Sequence, residues 1–161
     1  MLISKDLNAA MNEEIGREIL ASHQYLQIAA YFDSETLHTT AKMFYKQAEE
    51  EHAHALKFMK YILDAGGEVA IPIVPAPKAK FLSAEDAIET ALKWEMDVTR
   101  FIFGLMDIAV KEKDYIAQQF LNWYHNEQLE EVSTMDNLLR IVRRAGEKNL
   151  LMLEAYITHK D

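Results

Sequence analysis

The chain contains no cysteine. That excludes disulfides, thiolate metal sites and a cysteine nucleophile, and it is compatible with a reducing compartment. Proline and glycine are scarce, three and five residues in 161, and all three prolines fall in one short stretch, at Pro72, Pro75 and Pro77. No apolar run approaches the roughly 18 residues of a membrane span. The first residues, Met1-Leu2-Ile3-Ser4-Lys5-Asp6, hold no apolar segment of the secretory type. A cytoplasmic protein with no membrane association is therefore expected. There is no excess of basic residues either. The formal net charge is −9, a field that repels nucleic-acid phosphates and attracts cations.

What is present favours helix. Half of the residues are apolar, and alanine, leucine, glutamate, lysine, methionine and glutamine dominate. Apolar residues recur at helical spacing in four long blocks. The spacing predicts helices over about 5–33, 36–65, 84–113 and 115–145, with a shorter fifth over 147–159. Ser4 and Ser83 stand where N-caps belong, and Gly66-Gly67 and Gly146 mark helix ends. The turn between the first two blocks is tight, so those helices should be antiparallel. Residues 66–83 hold the prolines and read as an extended strap. Fully extended, such a strap spans about 55 Å, against about 40 Å for each long helix. It can cross the whole bundle and leave the second and third helices parallel. The expectation is one all-α domain over residues 1–161, a four-helix bundle with one long crossover and a short C-terminal helix.

The segment Gln47–Leu56, QAEEEHAHAL, packs three carboxylates and two imidazoles into the middle of a helix. Stepping by three and four along each block sorts them. The core-facing seams read Met11, Ile15, Glu18, Ser22, Tyr25, Ala29, Phe32; then Phe44, Gln47, Glu51, His54, Phe58, Tyr61, Ala65; then Ile88, Ala91, Glu95, Val98, Ile102, Leu105, Ala109; and Leu121, Tyr124, Gln128, Glu131, Met135, Leu138, Val142. Glu51 and His54 fall on the stripe, Glu49 and His52 off it, and Glu50 beside it. Every seam is apolar except near its middle, where each carries an acid. A single seam glutamate is ordinary. Four at one level, one per helix, would repel one another in the bundle centre unless cations sit between them. Oxygen-rich ligation with one imidazole suits iron, manganese or zinc. Tyr25 shares the face of Glu18, and by itself reads equally well as a core tyrosine with a satisfied hydroxyl.

At these residues the sequence resembles the non-haem bacterial and archaeal ferritins, members of the ferritin-like dimetal carboxylate family. The matching pieces are Glu18 with Tyr25, the run Glu50-Glu51-x-x-His54, Glu95 after Lys93-Trp94, and Phe120–Glu131, in which aromatic residues precede Glu127-Gln128-x-x-Glu131. The resemblance covers nearly the whole chain. It implies a ferroxidase centre in which Glu18, Glu51 and His54 hold one iron, Glu51 bridges to a second held with Glu95 and Glu131, and Gln128 lies close by. Glu50, Glu127 and Glu130 match the third-iron position of the bacterial members. The resemblance further implies Fe(II) as substrate, O2 or H2O2 as oxidant, mineral stored within a shell of 24 identical subunits, and a fifth helix placed around the fourfold axis of that shell.

Departures separate this chain from relatives. The second Glu-x-x-His of the bundle is here Gln128-x-x-Glu131, unlike bacterioferritins and rubrerythrins. His52 stands where bacterioferritins carry a haem-binding methionine, so no haem is expected. Without cysteine there is no rubredoxin-like site. A fifth helix and no basic arm distinguish it from the DNA-binding mini-ferritins. Two other functions compete with storage: a dimetal peroxide reductase or oxidase without a mineral, and a metal-free helical interaction module.

Overall fold

Ser4 opens the first helix by accepting the amide of Leu7 at 3.1 Å, and Ser83 opens the third by accepting that of Asp86 at 3.0 Å. In the computed structural model, which describes residues 1–160, these caps start two of five α-helices. They are α1 (Lys5–Ser34), α2 (His38–Asp64), α3 (Ala84–Glu112), α4 (Tyr115–Ala145) and α5 (Leu151–Lys160). There are no strands among the described residues.

The boundaries differ from the sequence pattern by one residue at the ends of α1, α2, α3 and α5, and by more at the starts of α2 and α5. α2 starts at His38 rather than Thr36, because Thr36 takes a left-handed conformation (φ +60°) in the turn that leaves α1. α3 stops at Glu112, because Lys113 is also left-handed (φ +57°) and the amide of Asp114 bonds back to the carbonyl of Ala109. The fifth helix begins later than expected: residues Glu147–Asn149 form a 3₁₀ turn, and α5 proper starts at Leu151.

Asparagine and glutamine side chains hold the strap. Asn8 exchanges two hydrogen bonds with the backbone of Glu68, each 3.0 Å. Asn12 donates to the Glu68 carbonyl and accepts from the Ala70 amide, and Gln24 does the same with both backbone groups of Lys78. The side-chain amides thus stand in for a neighbouring strand. The contacts climb α1 in order, from Asn8 to Gln24, so the strap runs along that helix. It delivers Phe81 against Tyr31 near the far end of α1, ring centroids 5.6 Å apart. α3 therefore starts where α2 started, and the two run parallel. Gly16 is required on this path, since a Cβ there would collide with the ring of Pro72.

The predicted seams face inward. Of their residues only Tyr61 is half-buried; all the others are buried. The apolar core is divided in two. Tyr25, Phe32, Phe44, Ile88 and Met135 fill one end, with Leu153 and Ile157 of α5. Met11, Phe58, Ile62, Ile102 and Leu121 fill the other. The layer between the two is polar, and it is there that the seam acids meet. α5 buries Leu153 and Ile157 against its own bundle but leaves Leu151 and Met152 exposed, at 77% and 63%.

The C-terminal segment also completes two helix starts elsewhere. α2 has no cap of its own, since its N-cap residue is Leu37. Glu154 takes the role, accepting the amides of Thr39 and Thr40 at 3.0 and 2.6 Å and the Thr40 hydroxyl at 2.7 Å. A carboxylate there also complements the positive end of the helix dipole. Glu147 accepts the Ala84 and Glu85 amides at the start of α3.

Candidate metal centre

Each helix of the bundle contributes to the polar layer because each seam carries its acid near mid-helix. Glu18 comes from α1, Glu51 and His54 from α2 one turn apart, Glu95 from α3, and Gln128 and Glu131 from α4. All six are buried. Two groups of three form there. Glu18, Glu51 and His54 each offer a ligand atom within 4.8 Å of the others, and so do Glu51, Glu95 and Glu131. Glu51 belongs to both. His54 turns Nδ1 towards the acids, 3.2 Å from Glu51 and 3.6 Å from Glu18, and its Nε2 lies 3.8 Å from Glu127.

Amide and phenol donors orient part of the cluster. Tyr25 donates its hydroxyl to Glu95. Gln128 donates to the other Glu95 oxygen at 3.1 Å and to the Thr99 hydroxyl at 3.1 Å. Gln47 donates to Glu131. The remaining oxygens have no donor: both of Glu18, one of Glu51, and Oε1 of Gln128. Among the described residues no lysine or arginine pairs with any of the four acids. Buried acceptors without donors are rare in folded proteins, and carboxylates in that state call for a proton, a water or a cation.

The titration behaviour follows from burial. Burial raises Glu18 and Glu95 well above the usual carboxylate range, and the charge of Glu51 raises both further. Glu131 is pushed up to about 7, by burial first and Glu51 second. Burial pulls His54 down, but its hydrogen bond to Glu51 and the surrounding carboxylates outweigh that and raise it. Tyr25 is raised by burial and by the facing Glu95, so its phenol keeps its proton. Without metal, Glu18 and Glu95 hold protons. With metal, those protons leave, because carboxylates ligate in the ionised form. Two overlapping oxygen-rich sets sharing one carboxylate can hold two hard or borderline divalent ions side by side.

The three acids matched to a third position sit at the rim. Glu50 and Glu127 are half-buried and Glu130 is exposed. Glu127 reaches His54, but among the described residues these three do not draw together as tightly as the two inner sets. One acid escaped the sequence pattern. Glu14 is wholly buried, its carboxyl faces Glu18, and burial pushes it up to about 8. The seam passes one residue from it, through Ile15, and the one available signal was its spacing of four from Glu18.

Comparison with known proteins gives a consistent result. The family model for the ferritin-like domain matches residues 8–145. The bacterial non-heme ferritin of Staphylococcus haemolyticus is 38% identical over 146 residues, covering 91% of this chain and 88% of that one. Ferritin BfrB of Mycobacterium tuberculosis is 40% identical over 153 residues, 95% of this chain and 84% of that one. A novel open pore ferritin from the hyperthermophilic archaeon Archaeoglobus fulgidus superposes with a TM-score of 0.93 at 33% identity, covering 98% of this chain and 97% of that one.

Proposed function

The chain belongs to the ferritin-like family, and from that premise we propose that it stores iron in the cytoplasm, oxidising Fe(II) at the buried layer before the Fe(III) is laid down as mineral inside a homo-oligomeric shell, by analogy of 24 subunits. The observation that carries this reading is the sharing of Glu51 between two three-residue ligand sets. A bridging carboxylate puts two Fe(II) ions at adjacent positions, so two electrons are available to one acceptor. Together they reduce O2 with two protons to H2O2, or H2O2 with two protons to two waters, leaving two Fe(III). Carboxylates favour the more highly charged product, which drives the step forward.

Each residue has a task in this scheme. Glu18 and His54 hold the first iron with Glu51, and Glu95 and Glu131 hold the second. His54 ligates through Nδ1, the nitrogen that faces the acids. Tyr25 and Gln128 fix Glu95 from two sides, which sets the shape of the second position before iron arrives. Glu50, Glu127 and Glu130 supply a third, outer position, with Glu127 adjoining His54. Exposed apolar side chains at Phe103, Tyr115, Leu129 and Leu151 support assembly, because a solitary subunit would leave them in water.

The test is iron loading under air followed by sizing. Storage requires a large particle that retains iron far beyond the two or three ions per chain of the centre. Rapid oxidation that leaves no retained iron would replace this reading with a dimetal oxidase or peroxide reductase. Absence of Fe(II) oxidation and of bound metal would leave only a helical interaction module.

A further inference from the structure

Glu14 is not used by the centre as described. It sits on α1 one turn before Glu18, so the two side chains share a face of that helix. Neither residue has any exposure to solvent. All four of their carboxylate oxygens lack a hydrogen-bond donor. The two carboxyl groups face each other, and the charges of Glu51 and His54 act on Glu14 from the centre beyond. Oε2 is the oxygen by which Glu18 approaches His54, at 3.6 Å. That leaves Oε1 of Glu18 and both oxygens of Glu14 with no partner beyond the two carboxyl groups themselves.

The nearby cation, Arg17, acts on Glu14 through its charge but, among the described residues, makes no ion pair with it. Arg17 lies 4.1 Å over the ring of Phe101 and bonds to Glu13 at 3.3 Å. Its Nε is buried without a partner. Two buried carboxyl groups aimed at each other, with no N–H or cationic side chain bonded to either, share a proton when empty and offer the donor set of a hard cation when that proton leaves.

We propose that Glu14 and Glu18 together hold a divalent metal ion, at a position additional to the overlapping pair and on its α1 side. Glu18 then bridges this ion to the first position of the centre, as Glu51 bridges the pair. The ligands are carboxylate oxygens, so the class is a hard or borderline divalent ion such as Fe(II), Mn(II) or Zn(II). The proposal rests on reading the buried layer as a metal centre.

The test uses the assembled protein with Zn(II), which is redox-inert, and locates the ions by anomalous diffraction at the zinc edge, with binding stoichiometry measured in parallel. Wild-type protein is expected to show a peak between Glu14 and Glu18 besides those of the pair. Glu14→Gln, which keeps the size and removes the charge, should lose that peak and one ion per chain while retaining the pair. A saturated wild-type map with the pair filled and no ion at Glu14 overturns the proposal alone. So does a map in which Arg17 has turned onto Glu14, or an unchanged stoichiometry in Glu14→Gln. An empty pair would instead overturn the reading of the whole centre. The wild-type map decides the question even if the variant folds poorly.

Discussion

Replacing Glu154 by alanine should loosen a helix that begins more than a hundred residues earlier. Glu154 accepts three hydrogen bonds at the start of α2, from the amides of Thr39 and Thr40 and from the Thr40 hydroxyl. Leu37, the residue at the N-cap itself, offers nothing in exchange. Losing an N-cap costs about 1 kcal/mol. Stranding a buried hydroxyl adds about 1–3 kcal/mol, and Thr40 has no exposure to solvent through which water could replace the carboxylate. The loss of a negative charge from the helix start adds a few tenths to about 1 kcal/mol. These terms overlap, and a total of about 2–4 kcal/mol follows, which at this chain length lowers Tm by about 5–10 °C. Glu147→Ala is the control. Glu147 also accepts two helix-start amides, but α3 keeps its own cap in Ser83, so the loss should stay under about 1 kcal/mol. The assay is thermal unfolding of metal-free protein at fixed concentration, with amide exchange followed across residues 37–44. Faster exchange at Thr39 and Thr40 in Glu154→Ala, and not in Glu147→Ala, is the expected signature. Equal shifts in Tm for the two variants, or unchanged exchange at Thr39 and Thr40, would show that Glu154 does not cap α2.

Three further outcomes are expected. Glu18→Ala and His54→Ala should each slow the initial oxidation of Fe(II) by more than about tenfold, since even residues that only orient a ligand are commonly worth that much; both should keep their helix content by circular dichroism, and wild-type rates would remove these residues from the centre. Metal-free protein should lose stability as pH rises, because a carboxyl whose folded-state value lies above its unfolded one stabilises the fold most below the unfolded value: for Glu131, raised from 4.5 to about 7, the loss between those limits is about 3 kcal/mol, and denaturant unfolding at pH 5 and pH 8 measures it, a flat profile contradicting the assignment. Glu130→Ala and Glu50→Ala should change how much iron the fast phase takes up more than its initial rate, read by stopped-flow oxidation at stepwise Fe(II) ratios; an effect as severe as that of Glu51→Ala would show that the inner and outer acids have been exchanged.

Residue order alone placed the helices, their inward faces and the four acids plus one imidazole on those faces. That follows from physics that is local: a period of 3.6 residues assigns each side chain to a side of its helix, and charges on an apolar stripe stand out wherever the partner helices happen to be. Even the crossover was legible, since clustered prolines between two long helices leave little but an extended path. What depends on distant partners emerges only when the helices pack. Apart from its spacing of four from Glu18, nothing local to Glu14 marks it as buried, because its neighbour Ile15 carries the seam and only the packing of α1 closes over it. Nothing near Leu37 announces that α2 is capped from residue 154, nor does α1 advertise that Asn8, Asn12 and Gln24 hold the strap. The orientation of His54, with Nδ1 on the acids and Nε2 towards Glu127, likewise required the fourth helix in place. Periodicity fixes which side of a helix a residue occupies; which atom it meets there is set by chains that arrive from elsewhere in the fold.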